Sequence, residues 1–359
     1  MSGSSELPPL GRELAKRVDE ELNGFLLEQR GLVAGKDPGV AAAFDELDRL
    51  VEAGGKRLRP VFACLGHLAA GREVGREMLL AAAALELLHT FALVHDDVMD
   101  RSRTRRGVAT SWVRFAELHR QHALRGDPDA YGTSGAVLVG DLAIALADQA
   151  FLESGFAPDL LLPGLERYNR MRTDMVAGQF LDVTASHRGE VTEPEARRIA
   201  VLKSGVYTVE GPLHIGAALA HAGRGLLTAL SRYGVALGEA FQLRDDVLGA
   251  FGDPAVTGKD RDADLLEGKR TLLVARALAV AASDDRDFLE SRLGKRDLSP
   301  QDLDRMRWIL ERSGALGQVR GLIGELAGRA RGALDPRIIQ GDVASTLAEM
   351  VDFLAGLPA

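Results

Sequence analysis

An apolar stretch that runs directly into a cluster of carboxylates constrains the fold most strongly. Residues 78–94 are mostly Ala, Leu and other apolar side chains, and Asp96, Asp97 and Asp100 follow immediately. On a helix, Asp96 and Asp100 share one face about one turn (~5.4 Å) apart. Neighbouring carboxylates repel one another and raise their own pKa values unless a cation lies among them. The pattern therefore predicts a buried helix whose acidic end holds a cation.

The residues around these carboxylates indicate which cation and which ligand. Oxygen donors in an incomplete set suit a hard ion such as Mg²⁺, which keeps several waters and usually also binds substrate phosphates. Four arginines follow the aspartates within six residues. Arginine offers a planar fork that matches phosphate oxygens. A metal-bound diphosphate is therefore the first hypothesis for what this site holds.

Composition favours helices and argues against several classes of protein. Hydrophobic residues make up 46% of the 359 residues and aromatic residues only 5%, and an apolar set rich in Ala and Leu favours helices over strands. The formal net charge of −8 argues against nucleic acid as a partner, because nucleic-acid-binding domains are usually basic. The single cysteine, Cys64, excludes a disulfide within the chain and fits a cytoplasmic location.

Neither a signal peptide nor a membrane span is expected. The first ten residues are polar and lack the apolar core of a signal peptide. Glu86 and His89 interrupt the apolar stretch 78–94, which is shorter than the ~20 residues that cross a bilayer. We therefore expect a buried helix here and no transmembrane segment.

The chain is expected to form one all-helical domain despite its length. No segment shows the period-two alternation of a strand, and no repeat of about 20 to 50 residues or domain linker is present. Residues 1–10 are predicted to be disordered and residues 11–359 to form the domain. Residues 126–132 read as an exposed loop, and Pro212 is expected to kink a helix over 193–221.

A second apolar helix also ends at paired carboxylates. Residues 226–248 form a helical pattern, and Phe241-Gln242-Leu243-Arg244-Asp245-Asp246 lies near its end. A lone Asp-Asp pair is usually solvated surface. Two such pairs in one helical chain instead predict two carboxylate clusters that face each other across a cavity, as in helical bundles that bind metals.

Several motifs in order make the sequence resemble the trans-type isoprenyl diphosphate synthases, or polyprenyl synthetases, over roughly residues 54–271. The matching motifs are Gly54-Gly55-Lys56-Arg57-Leu58-Arg59-Pro60, Asp96-Asp97-Val98-Met99-Asp100, Arg105-Arg106-Gly107, Gly178-Gln179-Phe180-Leu181-Asp182, Lys203-Ser204-Gly205, and the Phe241–Asp246 motif with its tail Phe251-Gly252-Asp253, Gly258-Lys259 and Gly268-Lys269-Arg270. Each motif alone is a modest signal, whereas the ordered set is highly specific.

The resemblance implies an all-α, isoprenoid-synthase-type bundle around a deep central pocket, usually a homodimer. It implies about three Mg²⁺ ions, with Mn²⁺ as an alternative, held by Asp96, Asp97, Asp100, Asp245 and Asp246. The allylic diphosphate would contact Arg105, Lys203, Ser204, Gln242 and Lys259. The diphosphate of isopentenyl diphosphate would contact Lys56, Arg57, His89 and Arg106.

The implied reaction needs no protein nucleophile. An allylic C–O bond ionises when metals and cations stabilise its diphosphate leaving group. The carbocation then alkylates the double bond of isopentenyl diphosphate, and a proton is lost. An apolar pocket must keep water away from the cation, and the apolar residues before both aspartate motifs would line it.

The sequence departs from the family pattern at Gly249, where the second motif usually has a third aspartate. This position lies four residues after Asp245 and therefore on the same helix face. We expect Asp245 and Asp246 to suffice for the third metal. The alternative is that Asp253 replaces the missing ligand, although Gly252 and Pro254 are expected to end the helix before it.

The residues before Asp96 predict the product length. Phe91 lies five residues earlier, about 7.5 Å of helix rise, and the small Ala92 follows it. One aromatic residue at this depth followed by a small one resembles the makers of geranylgeranyl diphosphate, a C20 product. The farnesyl or C25 product is the alternative.

Other interpretations remain open at this stage. A class I terpene cyclase shares the metal-triggered ionisation but needs no second diphosphate site, and a non-catalytic partner subunit would tend to lose aspartates of the first motif. His95 is expected to be structural. Gln179 and Asp182 fit either a pocket lining or a hydrogen bond between helices.

Overall fold

The computed structural model describes residues 6–33, 38–105, 107–252, 262–295, 297–339 and 341–356. The helices are α1 (Pro9–Val33), α2 (Pro38–Glu52), α3 (Leu58–Ala69), α4 (Arg76–Met99), α5 (Ser111–Gln121), α6 (Pro128–Leu152), α7 (Pro158–Arg188), α8 (Glu193–Ala200), α9 (Gly211–Ala218), α10 (Arg224–Phe251), α11 (Ala263–Glu267), α12 (Leu272–Val280), α13 (Ser283–Arg292), α14 (Pro300–Arg312), α15 (Ala315–Gly332) and α16 (Gly341–Ala355). A π-helical segment, Val201–Glu210, joins α8 to α9.

The two predicted central helices are present, and each packs on several others. The stretch from Met78 to Leu88 of α4 is buried throughout, and α4 packs against α1, α3 and α6. Helix α10 packs against the π segment, α15 and α16. One connected apolar core contains residues from Leu7 to Leu354. The all-α prediction is thus confirmed, with one small exception after α4.

That exception is a short hairpin that turns the chain back towards the end of α4. Strands β1 (Thr104–Arg105) and β2 (Val108–Ala109) are antiparallel, with Arg105 opposite Val108. Trp112 Nε1 donates to the Ser102 carbonyl at 2.7 Å, and the Thr110 hydroxyl donates to the same oxygen at 2.8 Å. These bonds hold the basic segment against the acidic helix end.

The segment after α8 differs from the expected kinked helix. It stays helical but widens into π turns over residues 201–210, a rare geometry that is frequent at functional sites. The wide turns end where the N–H of Gly211 reaches Val206 O. Pro212, which has no N–H to donate, comes directly after this change of register, so the helix absorbs it at the start of α9.

Glycines let α7 and α10 clamp the π segment from both sides. A Cβ added at Gly178 of α7 would lie 2.3 Å from Lys203 N, and one added at Gly238 of α10 would lie 2.4 Å from Gly205 O. Such distances are too short for any side chain. The two helices therefore fix the backbone that carries Lys203 and Ser204.

Two predicted boundaries differ from the structure. Residues 1–5 lie outside the described residues, but α1 already begins at Pro9 and Leu7 is buried in the core, so the predicted boundary at residue 10 falls inside the first helix. The predicted loop 126–132 is shorter, because Asp127 accepts from the N–H of Asp129 and starts α6 at Pro128.

Two helices are long and apolar enough to cross a membrane when judged by length and composition alone. They are α4 and α6, and 67% and 44% of their most apolar windows are buried inside the fold. Core helices of globular proteins meet the same two criteria, so this likeness is weak support for a membrane span.

Candidate active site

The first carboxylate cluster lies at the C-terminal end of α4, where Asp100 caps the helix. Arg105 on β1 turns back onto this cluster. Its Nε donates to Asp97 Oδ1 at 2.8 Å, and its guanidinium lies 3.5 Å from Asp96 Oδ2. The hairpin thus places the predicted arginine directly against the predicted metal ligands.

Asp96 is contacted from two further elements, α7 and the π segment. Gln179 on α7 donates to its Oδ1 at 2.9 Å, and Lys203 Nζ lies 3.5 Å from the same oxygen. Lys203 also contacts Asp182 at 2.7 Å. Gln179 and Asp182 of α7 therefore make hydrogen bonds to α4 and to the π segment, as in the second of the two alternatives, whereas the lining of a pocket by these residues stays a prediction.

The carboxyl groups of the first cluster differ in pKa because their charged neighbours differ. Burial opposes ionisation of Asp96, but Lys203, Lys269 and Arg105 nevertheless lower its pKa to about 2. Burial and the neighbouring Asp96 charge raise the pKa of Asp100 to about 6. One carboxylate is thus stabilised as an anion, while its neighbour one turn away is disfavoured in that form.

The second cluster lies on α10 and is also buried. Asp246 is 9% exposed, and Gln242, one turn earlier, donates to its Oδ1 at 2.6 Å. Burial, followed by the charges of Asp264 and Asp245, raises the pKa of Asp246 to about 8. Asp245 is half-buried beside it.

Two lysines lie beside the first cluster and connect it to acidic residues near the second. Lys203 binds Asp96 of the first cluster and also Asp182, whose charge acts on Asp246. Lys269 lies 3.5 Å from Asp100, 3.4 Å from Asp264 and 2.8 Å from Glu267. The ends of α4 and α10 therefore belong to one electrostatic network, because these lysines contact Asp182 and Asp264, whose charges act on Asp246.

The donor set fits a hard divalent cation. All donors are carboxylate oxygens, the type that Mg²⁺ prefers, and the raised pKa values of Asp100 and Asp246 reflect burial and repulsion that a cation would counter. Within the described ranges, no three His, Cys, Asp or Glu side chains are close enough to hold an ion alone. Such an ion would complete its shell with water and phosphate oxygens.

Asp246 gives the first testable prediction, on the pH dependence of stability. Its pKa is about 8 in the folded protein and ~4 in an unfolded chain, so the unfolded state releases the proton first as pH rises. Stability without metal should therefore fall between about pH 4 and 8, by up to about 1.4 kcal/mol per pH unit. Urea unfolding in a chelator should show this slope, and Asp246→Asn should flatten it. An unchanged slope in the variant would contradict the assignment.

Arg57 requires a correction. Its side chain is 5% exposed and faces the protein interior, where Nε contacts Asp19 at 2.6 Å and one NH group contacts Glu86 at 2.7 Å. The other NH group donates to the Val51 carbonyl at 2.7 Å. Because its whole fork is engaged by α1, α2 and α4, the structure gives Arg57 a structural role and not the predicted contact with a diphosphate.

Arg59, which the sequence analysis did not select, lies in a more suitable place. Its guanidinium stacks 4.1 Å from the ring centre of Tyr207 and donates to the Thr208 hydroxyl at 2.9 Å. Its buried Nε has no hydrogen-bond partner among the described residues. The His89 ring is also near Tyr207, with 6.2 Å between the two ring centres. Arg59 lies two residues after Arg57, inside the first turn of α3. The presence of a second arginine in the basic motif was the sequence signal that could have identified it.

The remaining predicted residues are placed as follows. Lys56 Nζ lies 4.6 Å from the ring centre of Phe353 on α16. Ser204 is half-buried beside Lys203 in the π segment. Arg106 and Lys259 lie outside the described residues, so their predicted roles remain predictions, as does that of Asp253.

The predicted floor of the pocket is on α4. Phe91 and Ala92 are half-buried in a helix that is otherwise almost fully buried up to Thr90. The Phe91 ring packs on His95 at 4.6 Å, and His95 Nε2 lies 3.1 Å from the Val137 carbonyl oxygen on α6. A Cβ at Gly140 would lie 2.3 Å from the His95 ring, so this glycine makes room for it. His95 is structural, as expected, and supports Phe91.

Two surface pockets lie away from the aspartates. One, of about 400 Å³, is lined mainly by α1 and the start of α4, and the other, of about 660 Å³, by α8, the π segment and α10. Neither is lined by an aspartate of the two clusters. The deep central pocket remains a prediction from the resemblance.

The fold and the site define a class: an all-α bundle in which two central helices bring aspartate clusters to one shared site. The sequence profile of the polyprenyl synthetase family matches residues 42–310, three quarters of the chain. The chain belongs to this family, whose members are prenyltransferases.

Individual relatives agree with the profile. Geranylgeranyl pyrophosphate synthase from Geoglobus acetivorans is 32% identical over 96% of this chain and 97% of its own. Geranylfarnesyl diphosphate synthase from Aeropyrum pernix is 34% identical over 74% of this chain and 79% of its own. Among solved structures, geranylgeranyl pyrophosphate synthase from Corynebacterium glutamicum, complexed with isoprenyl diphosphate and magnesium, superposes with a TM-score of 0.92, at 35% identity over 96% of this chain and 99% of that one.

Proposed function

We infer that this chain catalyses the divalent-metal-dependent, head-to-tail condensation of isopentenyl diphosphate with an allylic diphosphate, and that its main product is geranylgeranyl diphosphate. The observation that supports this function most directly is that Lys269 contacts both Asp100 of the first cluster and Asp264, whose charge acts on Asp246 of the second, while Lys203 contacts Asp96. Names of the relatives also support it, since several make C20 or C25 diphosphates.

The first cluster and α10 bind the allylic diphosphate. Asp96, Asp97, Asp100, Asp245 and Asp246 hold Mg²⁺, or Mn²⁺ in its place, and about three such ions would neutralise the diphosphate as it leaves. The remaining oxygens of the diphosphate would accept hydrogen bonds from Arg105, Lys203, Ser204, Gln242 and Lys259. Lys203 and Lys269 already hold positive charge between the carboxylates.

A second set of basic residues binds the diphosphate of isopentenyl diphosphate. Lys56, His89 and Arg106 are the predicted donors, and we add Arg59, whose buried Nε is aimed at no partner among the described residues. Arg57 stabilises α4 next to these residues through its buried ion pair with Glu86. Two separate sets of basic residues fit a condensation of two diphosphates better than a cyclisation of one.

Catalysis consists of holding the reactants and excluding water. Arg105 and Lys203 stabilise negative charge on the departing diphosphate, which makes ionisation of the allylic C–O bond easier. The apolar face of α4 before Asp96 surrounds the carbocation and keeps water from it. The carbocation then forms a C–C bond with isopentenyl diphosphate, and loss of a proton restores the double bond. No protein nucleophile takes part.

The product length gives a second prediction. The growing chain passes down α4 from Asp96 until it reaches the Phe91 ring, which His95 holds in place. Phe91→Ala should therefore shift the main product from C20 to C25 or longer, and Ala92→Phe should shorten it towards C15. Chromatography of the dephosphorylated products measures this. Unchanged chain length in the Phe91 variant would remove this residue from the floor.

A product assay tests the proposed function. The pure protein, incubated with Mg²⁺, isopentenyl diphosphate and each allylic starter from C5 to C15, should form geranylgeranyl diphosphate and release diphosphate. A cyclic hydrocarbon formed without isopentenyl diphosphate would identify a terpene cyclase instead. Complete inactivity of the pure protein with every starter would favour the non-catalytic partner subunit.

The oligomeric state and the location of the protein are also part of the proposal. We propose a homodimer of single-domain chains that acts in the cytoplasm. Support comes from the connected apolar core between Leu7 and Leu354 and from the single, buried cysteine. Sedimentation of the pure protein measures the oligomeric state.

A further inference from the structure

The place of the missing third aspartate is occupied by another side chain. Gly249 lies one turn after Asp245 on α10 and faces the same way. A Cβ built on Gly249 would lie 1.9 Å from Asp264 Oδ2 and 2.6 Å from its Cγ. The carboxylate of Asp264 therefore fills the space in which a side chain of residue 249 would begin.

The surrounding structure holds Asp264 in this position. Asp262, just before α11, forms a buried ion pair with Arg307 on α14, and Leu265 is buried in the core. The Lys269 N–H donates to the Asp264 carbonyl at 2.9 Å and closes the turn after the helix. Asp264 itself is 9% exposed. Contacts of the residues before, within and after α11 thus fix the position of the Asp264 carboxylate.

Asp264 also shares a cation with the first cluster. The ammonium of Lys269 lies 3.4 Å from Asp264 Oδ1 and 3.5 Å from Asp100 Oδ2. Asp264 is also close enough to Asp246 for its charge to oppose the ionisation of that carboxyl group. A carboxylate in this position can therefore act on a positive charge located between the ends of α4 and α10.

We propose that Asp264 serves as the third carboxylate of the second cluster and binds the divalent cation in place of an aspartate at position 249. This inference rests on the proposed function, and it replaces the expectation that Asp245 and Asp246 suffice alone. Gly249 is part of the arrangement, because any side chain there would displace the Asp264 carboxylate. The third carboxylate thus comes from α11 and not from α10.

Binding of inorganic diphosphate in the presence of Mg²⁺ tests the proposal without turnover. In calorimetric titrations the isosteric Asp264→Asn variant should bind diphosphate on the order of 10-fold or more weakly than the wild type when Mg²⁺ is present. Without Mg²⁺ the two proteins should differ much less. Asp174→Asn, which removes the same charge from an ion pair with Arg170 on α7, should bind like the wild type.

A carboxylate transplant tests the equivalence of the two positions. Asp264→Ala should lose Mg²⁺-dependent binding, and the double variant Gly249→Asp/Asp264→Ala should recover most of it, since the space is then free. Binding within twofold of the wild type in Asp264→Asn, or no recovery in a folded double variant, would overturn the proposal. Absence of Mg²⁺-dependent diphosphate binding in the wild type would instead refute the proposed function.

Discussion

Asp245→Ala should reduce turnover by on the order of 10²–10³-fold, or about 3–4 kcal/mol of transition-state stabilisation. Asp245 is half-buried on the α10 face that carries Gln242 and Gly249, beside Asp246. Without it, the second cluster loses a carboxylate and its hold on the departing diphosphate weakens. The loss should appear mainly in kcat, because charge on the leaving group develops in the transition state.

Asp253→Ala is the matched control for this prediction. It removes the same side chain from the neighbouring segment, eight residues further along the chain. Steady-state rates for both variants should differ by at least an order of magnitude. Equal large losses would mean that Asp253 supplies the missing ligand, and a small effect in both would remove α10 from the metal site.

Arg57→Ala should destabilise the fold by about 3–5 kcal/mol, because it leaves Glu86 buried without its cationic partner. The same change also removes the contacts to Asp19 and Val51, so α1, α2 and α4 are no longer connected through this side chain. The KM for isopentenyl diphosphate of the protein that remains folded should stay within a few-fold of the wild type. Denaturant unfolding and steady-state kinetics measure the two effects separately.

Two further variants separate structure from binding. Lys56→Ala should raise the KM for isopentenyl diphosphate with little change in stability. Arg57→Met/Glu86→Leu should recover much of the stability lost in Arg57→Ala, since an apolar pair can replace a buried ion pair. A large rise in KM with normal stability in Arg57→Ala would restore the role that the sequence first suggested.

Local pattern predicted the main parts of the site. The apolar runs before Asp96 and Asp245 specify buried helices that each end at carboxylates. The spacing of Arg105 after Asp97 also sufficed, because a short hairpin returns it to the cluster. In each of these cases the relevant neighbours lie close in sequence or on a strongly periodic helix.

The rest depended on contacts between distant segments. The direction of Arg57 is set by Asp19 and Glu86, which lie 38 and 29 residues away. The contact of Asp264 with Gly249 forms only when α11 folds back on α10. The π turns at 201–210 lie where α7 and α10 pack closely on one segment, and no residue pattern along the chain predicts them.

A crystal structure with Mg²⁺ and an unreactive allylic thiodiphosphate would test the central claim most directly. We expect one diphosphate between the ends of α4 and α10, with Lys203 in contact with its oxygens. Mg²⁺ ions should lie on both sides of this diphosphate, bound by Asp96 on one side and by Asp245 on the other. A diphosphate bound elsewhere, or bound at one cluster while the other holds no ion, would contradict the account.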